Sequence, residues 1–352
     1  MSSTKLDHVL IIGGGISGLA SALALNALNI RCTVYELRTT PSTIGGAVNL
    51  TPAALRCLEH LGVLPQIQGK GGDTRSIEIF SSFDCHKVGE ISFRNVDKYK
   101  YHARRIPRAA LLRGLLETLE GRTDVKIEYG KKLVELTETD TSVKATFDDE
   151  TSAEGDILLG CDGIHSNTRM KLVDPTRLPT YSGIATAYGT VPVSSISSPP
   201  HFQDCAVNSS RRGSLLTAFC DAEKETLYVA AVMEVKEQLD HEGWKIKGSD
   251  QDATRKELLS RFGDSKMPCL VEMVENVEDL CFYPVNTLPS GGKWSSKRAI
   301  LLGDAAHAAC IFMQDNHPLH SFCFIDATYG RKYWICFRRR GTLHSNSRTP
   351  FR

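Results

Sequence analysis

The residues from Val9 to Glu36 constrain this chain more than any others. In VLIIGGGISGLA an apolar run, Val9–Ile12, meets three glycines, Gly13, Gly15 and Gly18, at G-x-G-x-x-G spacing. A helix-compatible stretch then leads into CTVYELR, a second apolar run that ends on Glu36. The order strand, turn, helix, strand is what a parallel βαβ unit requires, and it carries more weight than the glycines alone. Gly13 permits the tight turn, Gly15 lets a pyrophosphate approach the backbone, and Gly18 lets the helix pack closely on the strand. Unpaired N–H groups at the helix start attract phosphate. A carboxylate at the tip of the next strand, Glu36, is placed to accept hydrogen bonds from an adenosine ribose. The frame predicts an α/β fold with a dinucleotide site.

With 352 residues and 41% hydrophobic content the chain can bury a sizeable core. Its length suggests about two domains, at ~100–200 residues each. A formal net charge of +1 gives no general pull toward nucleic acid or anionic membranes. The start, MSSTKLDH, is polar and unlike a signal peptide. No segment approaches the ~20 apolar residues of a membrane span. Eleven cysteines are scattered without a C-x-x-C pair, which suits reduced thiols and predicts a cytoplasmic location.

Further along, Thr51 is a helix cap ahead of Pro52, Gly62 a terminator, and Leu55, Leu58 and Leu61 the buried stripe between them. The turn before that helix, Gly45-Gly46-Ala47, has almost no side chain; a flat ligand lying on it and an ordinary tight turn explain it equally well. Residues 74–103 alternate as a hairpin. RRIPRAALLRGLLETLEG reads as an amphipathic helix with Leu111, Leu112, Leu115, Leu116 and Leu119 on its apolar side and Arg104, Arg105 and Arg108 at its N-terminal turn. Two period-two segments, VKIEYGKKLVEL and SVKATFDD, precede a strand ending on Asp162-Gly163. From about Leu178 to Phe282 strands dominate, with one helical piece, DATRKELLSRFG. A last apolar strand delivers Gly303-Asp304. Ligands of open α/β sheets gather at the carboxyl ends of strands, so the three strand tips point at one shared crevice.

Four places together resemble the class A flavoprotein monooxygenases that bind FAD, in particular the salicylate-hydroxylase-like, paxM-type fungal enzymes. They are Gly13–Gly18 with Glu36, the R-x-x-L at Arg108–Leu111, the D-G stretch CDGIHSNTR, and the G-D stretch LLGDAAHA. The resemblance implies a Rossmann-like FAD-binding domain (residues 1–175 and 283–309) with an inserted, mostly antiparallel β-sheet substrate domain (176–282). It implies that Glu36 holds the adenosine ribose, Arg108 contacts the FAD, and Asp162 and Gly163 flank the pyrophosphate. Gly303 and Asp304 would serve the ribityl chain, and Ala47 would lie against the flavin. Plain alternatives stand beside these: a surface arginine at 108, a turn cap at Asp162, a helix cap at Asp304. The implied reaction uses NADPH or NADH and O₂ to hydroxylate a phenolic or polyketide-like aromatic small molecule, as in secondary metabolism. The alternatives are a non-oxygenating FAD oxidoreductase or a remnant that binds FAD poorly and does not turn over.

Tyr188, in SGIATAYGTVP, stands where many fungal relatives carry an arginine and is the candidate substrate residue, with Tyr228 behind it; a phenol can orient or deprotonate a phenolic ring, yet buried tyrosines are more often core. His307 is assigned a supporting role in the G-D turn. His317 and His320 form an isolated H-x-x-H with no acid suitably spaced, so no metal is assigned. The basic, aromatic DKYKYHARRIPR is read as attracting nicotinamide-cofactor phosphates or as a solvated hairpin, and not as a nucleic-acid patch. After Ala308 the resemblance ends: Ile311 occupies the family's proline position and Gln314, Asp315 and Asn316 its G-Q-G turn. The tail, 310–352, is therefore read as truncated or altered, and weakened FAD retention is expected.

Overall fold

A computed structural model describes residues 6–43, 45–237 and 239–308, with the backbone of Ser321–Asp326 and Arg331–Cys336. The expectations for Ile311, Gln314, Asp315, Asn316, His317 and His320 lie outside the described residues.

The first apolar run forms the strand His8–Ile12 at the centre of a five-stranded parallel sheet. Its neighbours are Arg31–Glu36 and then Val125–Tyr129 on one side, and Ile157–Gly160 and then Ala299–Leu301 on the other. Alternation sends successive side chains to opposite faces, and both faces are covered. Val9 and Ile11 join Leu19, Ala22 and Leu23 of the helix Ile16–Ala27 and Leu111, Leu112 and Leu115 of the helix Arg108–Leu119. Leu10 and Ile12 meet Leu136, Val143, Ala145 and Phe147 of an antiparallel three-stranded layer, Leu133–Glu138, Val143–Phe147 and Ser152–Gly155. The period-two stretch VKIEYGKKLVEL is thus divided: its first half extends the parallel sheet and its second half enters the covering layer.

A seven-stranded sheet, antiparallel except where Cys205–Ser210 runs parallel to Ser76–Ser81, carries the second core. Its order begins Glu278–Thr287, Thr180–Pro192, Thr226–Glu234, Gly213–Phe219 and ends on the Ser76–Ser81/Lys87–Ser92 hairpin. One face is roofed by three helices, His241–Ser249, Gln251–Phe262 and Pro268–Glu275, where the sequence suggested one. The first was missed because it buries one residue, Trp244; the third buries Cys269, Leu270, Met273 and Val274 but is only eight residues long, too short to show a period. Leu227, Val229, Ala231 and Met233 of one strand face these helices. Tyr228 and Ala230, in the alternate positions, face the other way.

Between the two large sheets lies a small antiparallel one, ordered Ala47–Leu50, Ala103–Pro107, Gly72–Thr74. Arg104 and Arg105 belong to its central strand and not to the helix turn assigned from sequence; the helix begins at Arg108, after Pro107 ends the strand. The helix Pro52–His60 is capped by Thr51, whose Oγ1 accepts from Ala54 N at 3.3 Å, and Gly62 follows it at φ +77°. In the tail, Ser321–Asp326 and Arg331–Cys336 pair with each other as a separate two-stranded sheet.

Candidate FAD and substrate site

The three strand tips converge on the N-terminus of the helix Ile16–Ala27. A Cβ on Gly13 would sit 2.4 Å from the Cys161 carbonyl oxygen, and one on Gly18 1.9 Å from the Gly13 oxygen, so neither position admits a side chain. Gly303 backs onto Ser17, whose Oγ lies 3.1 Å from where its Cβ would be. At Gly15 and Gly163, by contrast, an added Cβ meets nothing within 4 Å. Two glycines therefore close the turn and two leave open backbone above it, which is the arrangement a pyrophosphate needs.

The acids divide their work. Glu36 Oε2 accepts from Gly14 N at 2.7 Å and Oε1 from Arg38 N at 3.0 Å, which fixes the carboxylate against the glycine turn. The Asp162 carboxylate is turned into its own loop: Oδ2 accepts from Thr168 N at 2.9 Å and Oδ1 from Ser166 Oγ at 2.5 Å. Burial pushes its carboxyl up in spite of these bonds. Its side chain thus performs the turn-capping alternative, and it is Gly163, at φ +76°, that offers open backbone. Asp304 is exposed as the first residue of the turn Asp304–His307, whose cap position is Gly303; among the described residues its carboxylate has no partner. His307 is exposed as well and stacks on Trp294 at 5.3 Å.

A staple that sequence reasoning missed joins the two loops. Arg169 is fully buried and donates to Ile164 O (2.5 Å), Arg177 O (2.9 Å) and Ala305 O (2.9 Å). Arg177 donates to Ala306 O (3.0 Å) and Pro289 O (2.9 Å). Only the terminal arginine of CDGIHSNTR hinted at it.

At the other end of the crevice Arg108 grips the small-residue turn. Its N–H donates to Gly46 O at 2.8 Å and its Nε to Thr43 Oγ1 at 2.8 Å. Gly45, at φ +120°, would bring a Cβ to 3.1 Å from Arg108 Cδ, and Gly46 would bring one to 2.1 Å from Tyr228 Cε2. The turn is therefore pressed between the arginine and a group of tyrosines. Tyr188 and Tyr228 are buried with ring centroids 6.0 Å apart, and Tyr283 packs edge-on to Tyr188 at 5.6 Å. Ala47 packs against this group. Cys281 lies directly across the ladder from Tyr188. Tyr283 was not singled out from sequence, though the alternation in CFYPV puts it and Cys281 on one strand face. Burial pushes the Tyr188 phenol far above its ordinary range and Tyr228 up to about 12; it raises Tyr283 too, against the pull of Arg108.

Two cations of DKYKYHARRIPR are engaged within the chain: Lys100 bonds Glu59 at 2.7 Å, and Arg104 lies 3.6 Å from Asp73. Among the described residues no cluster of three metal-type ligands occurs and no helix is long and apolar enough to cross a membrane.

This geometry fits FAD at the nucleotide end: open backbone at Gly15 and Gly163, a fixed Glu36 and an unpartnered Asp304. At the ring end it offers the Gly45–Ala47 turn and Arg108. The FAD binding domain family matches residues 7–311. The chain is 28% identical over 309 residues to 3-amino-4-hydroxybenzoate 2-monooxygenase PtnB3 of Streptomyces platensis, covering 87% of this chain and 74% of that protein. It is 28% identical over 208 residues to the FAD-dependent urate hydroxylase of Klebsiella oxytoca, covering 59% of this chain and 53% of that one. In fold it resembles Klebsiella pneumoniae HpxO complexed with FAD and uric acid, with a TM-score of 0.73, 24% identity, and coverage of 86% and 74%.

Proposed function

The chain belongs to the FAD binding domain family, and from that premise we propose that it is an FAD-dependent monooxygenase that hydroxylates an aromatic small molecule with NADPH or NADH and O₂. The observation that carries the reading is the convergence of Gly13–Gly15 with Glu36, Cys161–Gly163 and Gly303–Asp304 on one helix N-terminus, together with the tyrosine group packed against the Gly45–Ala47 turn. When bound, FAD supplies the electron transfer and dioxygen chemistry that side chains cannot.

The chain's own residues bind, orient and exclude water. In our assignment Glu36 holds the adenosine ribose, the open backbone at Gly15 and Gly163 holds the pyrophosphate, Asp304 holds the ribityl chain, and Ala47 and Arg108 border the ring. Asp162 contributes by shaping its loop. Tyr188 and Tyr228 orient the substrate ring. Because burial keeps their phenols protonated at neutral pH, they donate hydrogen bonds and do not act as bases. The buried wall of Tyr188, Cys220, Tyr228 and Ala230 keeps water from the ring. We place the nucleotide-binding part at residues 1–175 and 283–309 and the substrate sheet mainly at 176–282, with the hairpin Ser76–Ser81/Lys87–Ser92 extending that sheet. A phenolic or polyketide-like substrate, kinship with the paxM-type fungal enzymes, and an altered end after Ala308 rest on the sequence pattern alone.

The test is purification of the full chain and absorbance spectroscopy for stoichiometric flavin, followed by NADPH and NADH oxidation with and without phenols and hydroxylated heteroaromatics. Substrate-stimulated oxidation with a product heavier by one oxygen atom is expected. Oxidation that yields only hydrogen peroxide with every ring tested would defeat the reading.

A further inference from the structure

We propose that Arg105, with Asn49 beside it, is a specificity-determining pair that selects aromatic substrates carrying an oxyanion next to an O–H or N–H donor; this rests on the monooxygenase reading above. Arg105 sits mid-strand in the small sheet, directly opposite Asn49 on one side and Gly72 on the other. Residues paired across a ladder share a face, so Arg105, Asn49, Thr74 and Ala47 all point the same way. Ala47 packs against the tyrosine group. The face that carries Arg105 is thus the face that borders the proposed substrate pocket.

What sets Arg105 apart is a missing partner. Only 5% of its surface is exposed, and among the described residues no acid pairs with it. Among the described residues its one side-chain hydrogen bond is weak, from Nη2 to the Cys205 sulfur at 3.7 Å, and its buried Nε has no partner. Asn49 Oδ1 and Thr74 Oγ1, on the same face, are also buried and unpartnered. Asp204, beside Cys205, is already held by Arg75 at 2.7 Å and Lys224 at 3.1 Å. Cys205, Cys220 and Tyr228, which feel its charge, are neutral at working pH: burial raises the Cys205 thiol, pushes Cys220 up to about 11 and Tyr228 up to about 12. A buried cation without a counter-ion destabilises a fold by several kcal/mol. A fold retains one where a ligand brings the opposite charge.

The donor set defines that ligand. A guanidinium fork recognises a planar oxyanion, either a carboxylate or an acidic ring hydroxyl. The orphaned Asn49 Oδ1 is an acceptor and requires a donor on the same ligand.

The test uses the full-length, FAD-loaded protein and matched probes that keep the neighbouring donor hydroxyl: salicylate against salicylamide for a carboxylate, and 4-nitrocatechol against 2-methoxy-5-nitrophenol for an acidic ring hydroxyl. Binding is read from the flavin absorbance change and from tyrosine fluorescence, not from turnover. The wild type is expected to prefer the anion of at least one pair by about tenfold or more. In Arg105→Met the preference should vanish while affinity for the neutral member stays within about twofold; Arg105→Lys should fall between. Asn49→Leu should weaken salicylate and salicylamide alike, since both carry the donor hydroxyl. Should Arg105→Met not fold, the wild-type preference and Arg105→Lys still decide. Equal or undetectable binding of both members in the wild type, or a preference surviving in Arg105→Met, overturns the proposal. Anion preference without oxygenated product would sink the reaction assigned above and leave Arg105's role standing.

Discussion

Single atoms decide what the crevice can hold. Gly46 has no room for a side chain because Tyr228 Cε2 occupies the place a Cβ would take, 2.1 Å away. Gly46→Ala must therefore push the tyrosine ring aside. We expect a loss of about 1–3 kcal/mol, the usual cost of overpacking, measured by urea denaturation. In a Tyr228→Ala background the same substitution should cost much less, giving a coupling above about 0.5 kcal/mol; simple additivity would show that the ring and the turn do not meet. Glu36 and Asp162 both stand at strand tips of the parallel sheet. One carboxylate faces the glycine turn and the other folds back into its loop. Glu36→Leu should accordingly weaken FAD binding to the apoprotein by about tenfold or more, one tenfold step being ~1.4 kcal/mol. Equal FAD titrations for variant and wild type would remove Glu36 from the nucleotide site.

At the scale of elements, much of the nucleotide-binding half was legible because its signals are local. A strand with both faces apolar, a glycine turn and a capped helix each announce themselves within a dozen residues, and the strands His8–Ile12, Ile157–Gly160 and Ala299–Leu301 fall where the apolar runs lie. The tyrosine group was half legible: alternation around Tyr228 separates it from Leu227 and Val229, but nothing local shows that Tyr188, Tyr228 and Tyr283 meet. Arg105 was misplaced because RRIPR fits a helix start as well as a strand end, and only pairing with Asn49 and Gly72 resolves it. Arg169 was opaque for the same reason, since its carbonyl partner in Ala305 lies more than a hundred residues away. That staple ties the Asp162 loop to the Asp304 turn. Arg169→Met takes the donor from two buried carbonyls, Arg177 O and Ala305 O, and from the half-buried Ile164 O, and each buried group so left costs ~1–3 kcal/mol. We expect a total loss of about 3 kcal/mol or more by denaturation, with faster amide exchange confined first to residues 162–168 and 303–306. Unchanged protection there would show that the two loops hold their positions independently.

Across the whole molecule, the joint between the nucleotide-binding part and the substrate sheet is electrostatic. Arg75 is the single residue between the strand Gly72–Thr74 of the small sheet and Ser76–Ser81 of the large one. Its backbone N–H and its Nε donate to Asp204 Oδ2 at 3.0 and 2.9 Å, and its Nη2 donates to Oδ1 at 2.7 Å. Lys224 adds a fourth donor at 3.1 Å, and the Asp204 side chain is only 1% exposed. Burial by itself would raise this carboxyl, but the donors from Arg75 and Lys224 outweigh it and hold it down to about 2. A carboxyl depressed on folding contributes stability that is complete above its unfolded value of ~3.9. That stability drains as pH falls toward the folded value, because protonation first becomes easier in the unfolded chain. The window is therefore pH ~4 down to ~2, and the contribution is at most about 2 kcal/mol, since the partially exposed cations are screened by solvent. Asp204→Asn should be less stable than wild type at neutral pH, and the difference should shrink steadily through that window in urea melts. Raising the salt concentration should narrow the neutral-pH difference only slightly, because the carboxylate itself is buried. A gap between the two proteins that stays constant from pH 6 to about pH 2.5 would mean that the joint is held by packing around Asp204 and not by its charge.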